Sequence, residues 1–141
     1  MHVSASIDIN LADLMLYLQR GDARVAMASY LVLTNLPARL KAVRSALQMI
    51  CSGDQPKRFQ EIAKSIEEAT KGRNAVAHSR WAENGYFPDG LIRLPHPYEN
   101  FGSKKQVELW CIEDFRGVSR KLQIANSQLS EFVHEVNEAR K

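Results

Sequence analysis

The stretch from 114 to 139 limits the possible fold more than any other part of this chain. Phe115, Val118, Leu122, Ala125, Leu129, Phe132 and Val136 step alternately by three and four, a heptad kept over three repeats. That spacing draws one apolar stripe along a long helix, which Asp114 is placed to cap. The opposite face is charged, with Arg116, Arg120 and Lys121 early and Glu131, Glu135 and Glu138 late. A stripe of this length needs other helices to cover it, so a helical bundle is expected. A helical dimer seam is the sharper alternative.

Helices of the right character lie upstream. Residues 1–7 carry little pattern. From Asp8, the apolar positions Leu11, Leu14, Met15 and Leu18 recur at helical spacing, with a stop before Gly21. Asp22 then reads as the N-cap of a second stretch running to Cys51. Its stripe, Ala26, Tyr30, Leu33, Leu36, Leu40, Val43, Leu47 and Ile50, keeps one phase past Pro37. Proline inside a helix costs about 3 kcal/mol, so Asn35 could instead cap a new helix there. The unbroken phase favours a kinked helix.

Ser52-Gly53-Asp54-Gln55-Pro56 is a turn, and a helix follows with Phe59, Ile62, Ala63, Ile66 and Ala69 as its buried stripe. Carried on in one phase, that stripe meets Arg73 and then Val76, which puts a charge at a core position. Gly72 offers a way out by breaking the register, with a new helical segment from Arg73 to about Ala82. From Glu83 to Lys105 glycines and prolines punctuate the chain. Leu91-Ile92-Arg93-Leu94 and the 107–112 run, Val-Glu-Leu-Trp-Cys-Ile, are strand-like, so a small loop or β-hairpin insertion is expected at about 83–112. The fold class is therefore all-α, a four- or five-helix up-down bundle with that insertion, over residues 1–141 as a single domain.

Composition excludes more than it selects. The chain has 141 residues, 45% of them hydrophobic and 25% charged, with a net charge of +3. That balance suits a soluble globular protein and tolerates an acidic partner such as RNA without demanding one. Cys51 and Cys111 lie far apart, outside any CxxC spacing, and no signal peptide precedes them. They read as reduced, semi-buried residues of a cytoplasmic protein. No apolar run approaches the roughly 18 residues that span a bilayer, so no membrane role is expected. Glycine-rich phosphate loops, serine elbows and paired-carboxylate motifs are missing from the sequence. Zinc held by His78, His96 and Cys111 would lack a fourth ligand and the usual paired spacing, so neither a metal nor another cofactor is expected. The basic group Arg39, Lys41, Arg44, Lys57 and Arg58 could face RNA, but reads first as a solvated face.

The chemistry concentrates in Lys71-Gly72-Arg73-Asn74-Ala75-Val76-Ala77-His78-Ser79-Arg80-Trp81. Three basic side chains occur here with no acid among them. Histidine gives and takes a proton near neutral pH, and a forked arginine holds phosphate. Both are useful in cleaving RNA with its own 2′-hydroxyl, which needs a base, an acid and positive charge on the phosphorane. On an ideal helix Arg73 and His78 point about 140° apart, whereas Asn74 and His78 share a face. One helix cannot easily aim both charged groups at one atom, and two copies across a two-fold axis could. Trp81 reads as a core or interface aromatic before a base-stacking platform.

Arg73-Asn74-Ala75-Val76-Ala77-His78 resembles the motif of the HEPN superfamily, an arginine, four residues of which the first is usually polar, then histidine. The tail Ser79-Arg80-Trp81 looks like the small-x-aromatic continuation common in such proteins, and the helices on both sides agree with an HEPN-like body. The resemblance implies a homodimer with the two motifs facing each other, and a metal-independent endoribonuclease or RNA-binding domain of a toxin or phage-defence type, with an antitoxin protein as partner. It implies His78 as the proton-transfer residue, Arg73 on the scissile phosphate and Asn74 orienting nearby, with Lys71 and Arg80 as further RNA-binding residues. Toxins of this kind that pair with minimal nucleotidyltransferases carry a tyrosine two residues after the histidine, where this chain has Arg80. The alternative is a non-catalytic dimeric HEPN-like interaction or sensing module in which Arg73 and His78 are structural. Structural roles would bury them against Glu67, Glu68 or backbone carbonyls. A catalytic role would leave them partly exposed.

Overall fold

The computed structural model describes residues 2–18, 23–51, 53–94 and 107–139. Among these residues it holds five helices and one three-stranded antiparallel sheet, so the helical, bundle-like class expected from the sequence is found. The helices are α1 (His2–Leu18), α2 (Ala23–Val32), α3 (Leu36–Ile50), α4 (Gln55–His78) and α5 (Ile112–Ala139); the strands are β1 (Arg80–Ala82), β2 (Gly90–Leu94) and β3 (Glu108–Cys111). The contacts divide the chain into two compact units, Met1–Glu67 with Leu122–Lys141, and Glu68–Lys121.

The first unit is helical and carries the larger core. The α1 stripe is buried as its spacing requires, with Leu11 and Leu14 fully enclosed. Ile7 is buried too, because the helix begins at His2 and not at Asp8. From the other helices come Leu40, Val43 and Leu47, Phe59 and Ile66, and Leu129, Phe132 and Val136. The Phe59 and Phe132 rings meet at 5.8 Å, tilted by 40°. Each fully buried side chain of this size contributes roughly 1.5–3 kcal/mol of apolar transfer, so the stripes hold this unit together. Asn10 Nδ2 donates to Asn126 Oδ1 at 3.0 Å at the edge of this core.

The expected kinked helix over Pro37 is instead two helices. Between Val32 and Leu36 the backbone leaves helical geometry, and Asn35 is extended at φ −137° and ψ 158°. Its Oδ1 accepts from the Ala38 amide at 2.9 Å, a true N-cap. Pro37 then sits in the first turn, where its missing N–H costs nothing. Asn35 and Pro37, not the stripe, determine the local backbone. The Asp22 cap and the burial of Ala26 fall outside the described residues. Gly53 closes the turn before α4 at φ +85°, a left-handed conformation that favours glycine.

The second unit is the sheet with the helix ends that flank it. β1 pairs antiparallel with β2, Trp81 opposite Arg93, and β2 with β3, Leu91 opposite Trp110 and Ile92 opposite Leu109. The expected hairpin is thus present with one strand more, since Arg80-Trp81-Ala82 is β1 and not the tail of a helix. Gly90 opens β2 where a Cβ would come within 3.0 Å of a Leu109 methyl and 3.1 Å of the Trp110 carbonyl. One face carries a triad of aromatic rings, Trp81, Trp110 and Phe115, with centroids 5.0–5.3 Å apart in tilted or edge contacts. Trp81 is half-buried and packs within this ring cluster.

Two further expectations are corrected here. α4 runs unbroken through Gly72 to His78. The buried stripe does not step from Ala69 to Arg73 but to half-buried Gly72, above whose Cα the Val118 side chain lies 3.4 Å from where a Cβ would be. The core position that looked charged is filled by glycine, and helix continuity costs about 1 kcal/mol of propensity there. At the other junction, α5 starts at Ile112, and Asp114 is not its cap. Asp114 Oδ2 accepts from the Cys111 amide at 2.8 Å, the third helical residue reaching back as in a capping box. Both cysteines are free, and Cys111 is exposed rather than semi-buried.

Candidate nucleic-acid interface

The last two turns of α4 carry the polar cluster. Lys71, Asn74 and His78 lie three and four residues apart, so they line up along one side of the helix, and all three are exposed. Arg73 is exposed on the adjoining side, and its Nη1 donates to Asn74 Oδ1 at 3.1 Å. That bond ties the guanidinium to the Asn74 side chain. Arg73 makes no ion pair among the described residues. Arg80 is exposed on β1, two residues beyond the helix. The surroundings are therefore locally cationic, and among the described residues neither burial nor a carboxylate occupies Arg73 or His78.

Why this helix end keeps its place is visible in the contacts beneath it. The Ser79 amide bonds the Ala75 carbonyl at 3.1 Å and closes the helix. Trp81 Nε1 donates to the Val76 carbonyl at 3.1 Å, so the middle residue of β1 is tied back onto the motif itself. Ser79 Oγ accepts from Arg93 Nε on β2 at 2.6 Å. Arg93 also faces Glu108 on β3 at 3.6 Å, and Glu108 Oε2 accepts from Trp110 Nε1 at 2.9 Å. A polar chain from Ser79 through Arg93 and Glu108 to Trp110 thus braces the motif against the sheet. Sequence reasoning passed over Ser79, Arg93 and Glu108 in this role. Arg93 inside an otherwise apolar strand was the available signal.

Other sequence candidates fare differently. Arg39 Nη1 pairs with Asp8 at 2.7 Å, its Nε donates to the Leu33 carbonyl at 3.0 Å, and its guanidinium covers the Tyr30 ring at 5.0 Å. Arg58 pairs with Glu135 at 2.6 Å, which holds the Glu135 carboxyl below its ordinary range, and it stacks over Phe132. Those two arginines bind their own unit, whereas Lys41, Arg44 and Lys57 are exposed. His96 lies outside the described residues. No group of three histidine, cysteine or acidic side chains placed to hold a metal ion occurs among the described residues. No described helix is long and apolar enough to cross a membrane.

Chemically, Arg73 can bind a phosphate, and Lys71 and His78 on the other line can offer a charge and a proton-transfer group. Arg73 and His78 still diverge by about 140° around a continuous helix axis, so one copy presents them to different sides. No family model, curated protein or solved structure matches the chain.

Proposed function

We propose that this protein is an HEPN-type domain that binds RNA and cleaves it without a metal, in the cytoplasm, as part of a toxin or phage-defence system. The supporting observation is the solvent-facing Arg73–Asn74 pair beside His78, with Lys71 and Arg80 near and, among the described residues, no acidic partner for any of them. In this reading two copies form a homodimer around residues 73–81, the up-down bundle of that superfamily surrounds them, and each helix supplies what the other misdirects. A 2′-hydroxyl loses its proton to one His78 and attacks the adjacent phosphorus. The 5′-oxygen leaves with a proton from the other His78, Arg73 neutralises the phosphorane, and the products carry a 2′,3′-cyclic phosphate and a 5′-hydroxyl. Asn74 holds Arg73 by the bond described above. An antitoxin protein is the expected partner.

The second reading is a non-catalytic dimeric interaction module. The divergence of Arg73 and His78 around α4 favours it, because neither then needs a shared target.

Single-turnover cleavage of a labelled structured RNA in EDTA separates the two. The expected result is cleavage by the natural chain to cyclic-phosphate ends and a loss of roughly a hundredfold or more in His78→Ala, the usual contribution of a general acid or base. Intact RNA with both folded proteins would end the catalytic reading and leave the module. Equal cleavage by both would remove His78 from the chemistry.

A further inference from the structure

We propose that the open cleft in the sheet-bearing unit is a docking site for a basic, partly apolar peptide segment of a partner protein. The cleft measures about 810 Å³ and lies between the 83–90 turn, β2 and the start of α5. Its floor is apolar and rigid. Trp110 and Phe115 meet edge to face at 5.2 Å, and the Trp110 indole is pinned by Glu108. The wall is a pair of tight turns in which the Asn84 side chain accepts from the Tyr86 amide, the Asn84 carbonyl from Phe87 and the Phe87 carbonyl from Gly90. A cleft built this way is preformed, so binding loses little to ordering.

Charge selects the occupant. Glu83 and Asp89 stand on the rim, both exposed, and neither has an ion-pair partner among the described residues. No basic residue lies between them, in a chain whose overall charge is +3. Two unpaired carboxylates above aromatic rings suit a lysine or arginine head with its stem on the rings. They repel a phosphate backbone, so this is not a second RNA surface. A small organic cation fits the charge but not the mouth. Phe87 is 47% exposed and Ile112 60% exposed, apolar surface at the mouth that a longer occupant would cover. An extended peptide alternating basic and apolar side chains covers both. This inference does not depend on the ribonuclease reading.

The chain has two tryptophans, so its indole N–H resonances in a 15N-labelled sample are two. A capped hexapeptide alternating lysine or arginine with leucine and phenylalanine is titrated against the full chain. Its glutamate counterpart, phenethylammonium and a single-stranded RNA oligomer serve as the other arms. The expected result is a saturable shift of the Trp110 signal with the basic peptide, a smaller one at Trp81, and none with the glutamate peptide. Glu83→Lys with Asp89→Lys weakens binding by roughly tenfold or more, as reversal of rim charges does, and Glu83→Gln with Asp89→Asn weakens it less. Equal binding of both peptides, or no effect of the charge reversal, overturns the proposal, as does failure of the basic peptide to bind. Phenethylammonium binding as tightly as the peptide makes the cleft a small-molecule site, and an RNA-driven shift makes it part of a nucleic-acid surface. Either also overturns it.

Discussion

Tyr30 shows how a single side chain reports its surroundings. Its ring is 2% exposed, its hydroxyl donates to the Asp8 carbonyl at 3.4 Å, and Arg39 covers its face. Burial, and then the Asp8 charge, push its phenol from 10.0 up to about 12, with Arg39 opposing. A raised acid favours the protonated form in the folded state. Its stabilisation is thus full below pH 10, the unfolded value, and is lost as pH rises through 12. Alkaline absorbance should show one of the four tyrosines ionising near pH 12, and the urea midpoint should fall between pH 10 and 12. Tyr30→Phe should flatten that fall. An identical slope in both proteins would contradict the assignment.

At the scale of elements, the α2–α3 junction is the sharpest case. If Asn35 caps α3, Asn35→Ala should destabilise the first unit by about 1 kcal/mol, and Asn35→Gly by only a few tenths. Were α2 and α3 one kinked helix, alanine would be the better helix former and would stabilise. Urea unfolding of the variants gives the sign directly. Legibility followed the same division. The stripes of α1, α4 and α5 were readable because a 3.6-residue period is written into the sequence and burial follows it. The break at Asn35 was not, since a short extended interruption leaves the phase of the flanking stripes intact. β1 was missed because three residues are too few to show a period, and its strand state comes from pairing with β2.

For the molecule as a whole, the proposed dimer makes a prediction that no single copy can satisfy. If one cleavage uses the His78 of both copies, a dimer with a single His78→Ala copy is inactive. Mixed in equal amounts with the natural chain and allowed to exchange, His78→Ala should leave about a quarter of the dimers intact by random pairing, and so about a quarter of the rate of an all-natural sample at the same total concentration. About half that rate, with heterodimers demonstrated by mass, would mean that each copy works alone. By itself the sequence determined the helical class, the apolar stripes, the strand pair near 91 and 109, and the cationic stretch from Lys71 to Arg80, because these depend on residue type and local period. Only the tertiary structure decided that Gly72 rather than Arg73 takes the core position, that Arg73 leans on Asn74, and that Ser79, Arg93 and Glu108 brace the motif. Those outcomes depend on which side chains meet across elements distant in the chain, and local spacing carries no record of that.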